Sequence, residues 1–329
     1  LGSSSALILV EDSPGFLLER SGVIGCNGGD ETKEFKYVLF KRSGGSRVVN
    51  CTFAQKFGLG PALVFYDEDG KEIGGYVVDG CLFDEIEAKG RAAAMNGTEA
   101  IRVRDSARSR SLGRAQIRGN LFRRCGSAGE PEVISLKCGE NGVEGNVFVD
   151  CAGGATSRHG TRNVFRRNYF YNCAVGVRAI DEGHVIEGNY FEGQRGNDGP
   201  RGAVVLLHGM PNSALNGYFA AHGCVVRGNR WVDCERPYVV TNMGKGELSI
   251  APTGIVYEDN GPGEKRAAPL TVAMVGMMAG QGGTEPPTEP TGPGAGELAA
   301  LRAEVAALGA RLEMQERRWA VVAKAFGGL

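Results

Sequence analysis

The stretch Val143-Glu144-Gly145-Asn146-Val147-Phe148-Val149-Asp150-Cys151 decides the architecture. It alternates apolar and polar residues over a short run punctuated by Gly and Asn, the pattern of a strand rather than a helix. Its core phrase, an Asn or Asp followed closely by an aromatic and then often by Cys, returns along the chain. The other copies are Asn50-Cys51-Thr52-Phe53, Asp79-Gly80-Cys81-Leu82-Phe83, Asn120-Leu121-Phe122, Asn168-Tyr169-Phe170, Asn189-Tyr190-Phe191 and Asn229-Arg230-Trp231. Phe122, Phe148, Phe170 and Phe191 follow one another at intervals of 26, 22 and 21 residues, the length of one coil of a solenoid. Strands at that period, with Gly-rich turns and no helical spacing between them, predict an all-β parallel β-helix over a Rossmann-like or sandwich fold.

That architecture gives the repeated residues a structural meaning. An Asn stacked at a tight bend is expected to take the left-handed conformation and to hydrogen-bond its counterpart in the next coil. Cys125, Cys151, Cys173 and Cys234 each lie three residues after the aromatic, where a small apolar side chain would stack inside the coil. The chain has nine cysteines, an odd number, and no CxxC pair, so buried thiols are favoured over disulfides or metal ligands.

Composition narrows the classes further. Of 329 residues 42% are hydrophobic, enough for a large domain, and 37 Lys and Arg balance 38 Asp and Glu. So even a balance creates no general field for nucleic acid or an anionic membrane, and an acidic partner must be met locally. No apolar run spans a bilayer, since the most apolar late stretch covers only Leu270 to Met278. The segment from Leu1 to Leu18 lacks the basic start and small-residue cleavage site of a signal peptide. The strand pattern fades near Asn260, which predicts a β-helix domain over 1–275 and a Gly/Pro-rich linker over 276–296. Beyond it Leu298, Leu301, Val305, Leu308, Leu312, Gln315, Trp319, Val322 and Phe326 form a heptad seam, predicting an amphipathic helix over 297–326. That helix either self-associates as a coiled coil, making a homo-oligomer, or folds back to cap the solenoid.

Between the third and fifth copies sits a set of polar residues that a plain solenoid does not need. Glu130-Pro131-Glu132 places two carboxylates at i and i+2, on one face of an extended segment, and two like charges side by side call for a cation. Lys137 follows five residues later, and Arg158 lies 21 residues beyond Lys137, close to one coil, so the two are expected to stack on one groove. Taken singly each is an ordinary surface charge.

The phrases around these residues resemble polysaccharide lyase family 6, which contains alginate lyases and chondroitinase B. Asn96-Gly97-Thr98-Glu99-Ala100-Ile101-Arg102 is similar to the family's NGGETIR phrase, and Glu130-Pro131-Glu132-Val133-Ile134-Ser135-Leu136-Lys137 to its ExExISxK phrase. Arg158-His159-Gly160-Thr161-Arg162 resembles RHGxR, Gly176-Val177-Arg178 with Glu182-Gly183-His184 resembles the GIR...EDH segment, and Pro211 to Phe219 resembles a further family stretch. The likeness runs from about Val38 to Asn242 and leaves out the C-terminal helix.

The resemblance implies a right-handed parallel β-helix and a secreted enzyme that cleaves a uronic-acid polymer by β-elimination. It implies Ca2+ held by Asn96, Glu130 and Glu132, with Lys137 as base and Arg158 as acid. Arg102, His159, Arg178 and Tyr218 would bind the acidic polysaccharide. It also implies that coils usual in the family before residues 1–50 are missing here. Alginate and dermatan sulfate both remain open as substrates, and a non-catalytic β-helix adhesin is the rival from another class.

Overall fold

The computed structural model describes residues 5–67 and 74–265. These form nine coils, each giving one strand to each of three parallel nine-stranded sheets, a parallel β-helix. The chain divides into two compact units, Leu1–Gly280 and Gln281–Leu329. Most of the expected linker and the whole expected helix fall in the second, and both lie outside the described residues.

Coil five shows how the sequence builds a turn of the solenoid. Its strands are Glu132–Lys137 in the first sheet, Gly142–Glu144 in the second and Val147–Val149 in the third. The repeated phrase is thus one corner of a triangle: Gly145-Asn146 turns the chain between the second and third sheets. The left-handed residue there is the one before the ladder Asn, which corrects the expectation. Gly119, Gly145, Gly188 and Gly228 hold φ near +60°, and Arg167, Asn50 and Gly80 take the same place in their coils. Asn50 is therefore a bend residue and not a rung.

The rungs are Asn120, Asn146, Asn168, Asn189 and Asn229. The backbone N–H and the side-chain Nδ2 of each donate to the Oδ1 of the next at 2.9–3.0 Å, as far as Asn260. Each Nδ2 also donates to a second-sheet carbonyl one coil back, such as Asn146 to Ile117 at 2.8 Å, so a fully buried amide leaves no group unsatisfied. In the earlier coils Cys81 and then Cys51 occupy the rung, with the Cys81 N–H bonded to Asn120 Oδ1 at 2.9 Å.

The aromatics of the phrase point inward and stack. Phe53, Phe83, Phe122, Phe148, Phe170 and Phe191 form a column with centroids 4.4–5.2 Å apart. Such pairs add about 0.5–1.5 kcal/mol each beyond burial. All nine cysteines are free, and Cys125, Cys151 and Cys173 are buried beside this column, as expected of stacked thiols.

The first sheet positions the site. Ile101, Ile134, Ala155, Val177 and Val204 face the core, while the register row Arg102–Ser135–Thr156–Arg178 faces outward across coils four to seven. Between coils five and six the register shifts twice, and Lys137 pairs with His159. The expected stacking of Lys137 on Arg158 is thereby corrected: Arg158 sits in the irregularity, and its neighbour His159 takes the pairing position. Two glycines make this packing possible. A side chain at Gly154, opposite Glu132, would lie 2.1 Å from the Gly176 carbonyl oxygen, and one at Gly160 would lie 2.0 Å from the Cys138 backbone.

Candidate active site on the first sheet

The acidic half of the site comes from coils four and five. Glu130 precedes the strand and is buried, and its carboxyl accepts from the Gly97 N–H at 2.8 Å and the Glu132 N–H at 3.3 Å. Burial, then the neighbouring Glu132 and Glu99, pushes its pKa up to about 9. Glu132 is equally buried, but the charges of Arg178 and Lys137, the Ser135 hydroxyl bond and Arg158 outweigh its burial and hold it below the usual carboxylate value. Arg178 reaches it from two coils away with an Nη2–Oε1 ion pair, and the Ser135 hydroxyl donates to the other oxygen. Within the buried pair, then, Glu130 is pushed towards its protonated form and Glu132 is held towards its ionised form.

Glu99 was not singled out by the sequence reading, although it lies inside the phrase Asn96 to Arg102. It is 1% exposed, its Oε1 lies 3.7 Å from Lys137 Nζ, and its Oε2 has no hydrogen-bond partner among the described residues. Asn96 is exposed one residue before Gly97, whose N–H holds Glu130.

The basic half comes from coils five to seven. Lys137 ends the coil-five strand with its amine partly exposed. Arg158 Nη1 lies 3.1 Å from His159 Nε2 and donates to the Gly217 carbonyl at 3.1 Å, while its guanidinium sits 4.3 Å from the Tyr218 ring centroid. His159 is fully buried with Nδ1 unpartnered among the described residues; burial, then Arg158, Lys137 and Arg110, lowers its pKa to about 3. It is a neutral imidazole ringed by cations. Arg102 faces the same side, with its Nε also unpartnered among the described residues.

His184, from the phrase matched downstream, plays another part. It is buried at the corner after the first sheet, where its Nδ1 accepts the Asn163 N–H at 3.1 Å and its Nε2 meets the Ile180 carbonyl at 2.7 Å. It ends a second polar ladder through Asn141 and Asn163, which the sequence reading missed because that corner lacks the aromatic marker.

Lys137, Arg158, His159, Arg178 and Glu132 thus share one face within mutual electrostatic reach, with Tyr218 against Arg158. An amine beside acids, a guanidinium and a neutral imidazole is a set suited to proton abstraction next to a carboxylate. Among the described residues no three His, Cys, Asp or Glu side chains already surround a metal position. The chemistry of Glu99, Glu130 and Glu132 nevertheless fits a hard divalent cation: the donors are all oxygen, one carboxylate oxygen is orphaned, and the buried acids carry more negative charge than they can hold ionised.

A family model described as Chondroitinase B matches residues 23–249. No curated protein sequence matches the chain. Among solved structures, a mannuronic-acid-specific polysaccharide family 6 lyase from human gut microbiota is 22% identical, with a TM-score of 0.66 over 80% of this chain and 62% of that one. An alginate lyase in complex with G6 is 21% identical with a TM-score of 0.65, covering 78% of this chain and 60% of that one. A family 6 polysaccharide lyase from Pseudopedobacter saltans is 19% identical with a TM-score of 0.62, covering 82% and 79%. The chain therefore spans about three fifths of the length of the first two.

Proposed function

The chain belongs to the chondroitinase B family, and from that premise we propose that it is a secreted polysaccharide lyase cleaving a uronic-acid polymer, alginate, by calcium-assisted β-elimination. The observation that carries the reading is the convergence of Glu132, Lys137, Arg158 and Arg178 on one face of the first sheet, from three successive coils.

Removing the proton at C5 of a uronate puts new negative charge beside an existing carboxylate, so the step needs a base and counter-charge placed where charge grows. The Lys137 amine, in its neutral form, takes the C5 proton. The electron pair left behind forms the C4–C5 double bond as the C4–O bond breaks. Arg158, held by the Gly217 carbonyl and the Tyr218 ring, donates hydrogen bonds to the departing oxygen, which takes a proton from water as it leaves as a hydroxyl, while Lys137 later returns its proton to solvent. His159, kept neutral, adds a polar contact without adding charge, while Arg102 and Arg178 meet carboxylates of the chain lying across the coils.

Asn96, Glu99, Glu130 and Glu132 would hold calcium; when bound, it supplies Lewis-acid neutralisation of the substrate carboxylate. Arg178, already ion-paired to Glu132, would stand between that carboxylate and the substrate.

The test is degradation of alginate and of dermatan sulfate, followed by the ultraviolet absorbance of the unsaturated product. The account expects product from alginate. Product from dermatan sulfate alone reassigns the substrate and keeps the chemistry, whereas product from neither polymer, in a folded protein supplied with calcium, removes the enzymatic reading.

A further inference from the structure

Two loops meet at the Arg158 side of the groove, the second of them carrying the family-like stretch Pro211 to Phe219. One joins the coil-four strands Ile101–Val103 and Gln116–Arg118, and the other joins the coil-eight strands Gly202–Leu207 and Val225–Arg227. Arg110 leaves the first loop and reaches three coils onward. Its Nη1 donates to Asp181 Oδ1 at 3.2 Å, and its guanidinium lies 4.3 Å from the Phe219 ring centroid. The preceding residue, Tyr218, carries the Arg158 guanidinium at the same 4.3 Å. Two consecutive aromatics thus each carry a guanidinium.

The aromatic pair is itself anchored. Met210 N–H donates to the Tyr218 carbonyl at 2.9 Å, and Asp181 N–H donates to the Phe219 carbonyl at 3.2 Å. Asp181 is 3% exposed, whereas the Arg110 side chain is 47% exposed and, among the described residues, makes one hydrogen bond with its five N–H groups. Burial lowers the His159 pKa first, and Arg110 adds to that effect after Arg158 and Lys137. Crowding a third cation there is unfavourable on its own, and Asp181 offsets only part of it. An anion arriving from outside would complete the balance.

We propose that Arg110 is a specificity-determining residue, binding the carboxylate of the sugar unit next to the one being cleaved, with Phe219 as its platform and Asp181 as its positioning residue. The proposal rests on the lyase reading for the identity of the anion, a uronate within a polymer. A ring-stacked guanidinium suits this work because it presents a fixed planar fork to a carboxylate at little entropic cost.

The experiment uses the full chain and its Arg110→Gln variant. With alginate, the variant should raise KM about tenfold while kcat stays within about threefold, the mark of lost binding that is uniform through the reaction. Arg110→Lys should recover only part of the loss. Partial methyl esterification of the polymer should raise the wild-type KM by a larger factor than that of Arg110→Gln, because the variant has one carboxylate contact fewer to lose. An unchanged KM, or kcat and melting temperature falling together, overturns the proposal. Migration through a gel containing alginate separates this inference from the lyase reading, because it needs no turnover. Arg110→Gln should be retarded at least fivefold less than wild type even if no unsaturated product forms, and equal retardation overturns the Arg110 role whatever the activity.

Discussion

The second sheet and the first sheet carry similar numbers of charged side chains on the same coils, and they treat them in opposite ways. On and beside the second sheet, charges pair across neighbouring coils in partly exposed chains: Arg118 with Asp79 at 3.0 Å, Glu140 with Arg114 and Arg162 at 3.2 and 2.8 Å, Glu187 with Arg166 and Arg227 at 3.0 and 2.8 Å. On and beside the first sheet in coils four to six, buried polar atoms are left incompletely paired, with Glu99 Oε2, Arg102 Nε, Thr156 Oγ1 and His159 Nδ1 all lacking partners among the described residues. A solenoid loses stability by burying such atoms. Four such atoms on one face of coils four to six, beside the Glu132, Lys137, Arg158 and Arg178 cluster, are what a face shaped for a ligand would show.

The largest expected effect lies in that groove. Lys137→Ala should lower the rate of unsaturated product formation by at least about a thousandfold, the scale of a lost general base, with melting temperature within a few degrees of wild type. Circular dichroism and the absorbance assay read the two sides of this prediction together. Equal loss of activity from Arg118→Ala would erase the distinction between the sheets.

Next comes the scaffold. Asn168→Ala removes a rung whose neighbours, the Asn146 N–H and Nδ2, are then left buried without their acceptor. Chemical denaturation should show a loss of about 2–4 kcal/mol, from two or more orphaned groups at about 1–3 kcal/mol each reduced by partial relaxation.

Two buried groups, His184 of the ladder and Glu130 of the groove, should also titrate in opposite directions. His184 is buried, which lowers its pKa from 6.5 to about 4. The unfolded chain therefore takes up a proton first, and stability is lost as pH falls from about 6.5 towards 4. Glu130 is raised from 4.5 to about 9, so the folded state keeps its proton longer, and in chelator stability is lost as pH rises from about 4.5 towards 9. His184→Asn should make the acid limb of a melting-temperature profile shallower, with His159 accounting for the remainder, and Glu130→Gln should do the same to the alkaline limb. Each variant leaving its own limb unchanged would contradict the assignment.

The smallest effect belongs to the paired charges of the second sheet. Arg118→Ala should change stability by less than about 0.5 kcal/mol, as expected of an exposed ion pair, and leave activity alone.

The sequence made the repeating corner legible because Asn146 and Phe148 have obligatory tasks there: one satisfies buried amides, the other fills the coil. The same reasoning could not separate the rung from the left-handed residue before it, since Asn serves both tasks, as Asn50 and Asn120 demonstrate. Glu132, Lys137 and Arg178 were found by phrase and spacing, and the regular pairing of strands brings them together. The place of Arg158 was misjudged because a register shift leaves no mark in the spacing of residues. Arg110 was out of reach altogether: its position depends on a loop that crosses three coils, and no local pattern encodes that path.

The most direct test of the central claim is the mass of oligosaccharides released from alginate in water enriched in heavy oxygen. Elimination at C4–C5 predicts products with an unsaturated end, each one water lighter than its hydrolytic counterpart and carrying no heavy oxygen. Fragments that gain water and incorporate the label would contradict the assignment of Lys137 and Arg158 to an elimination.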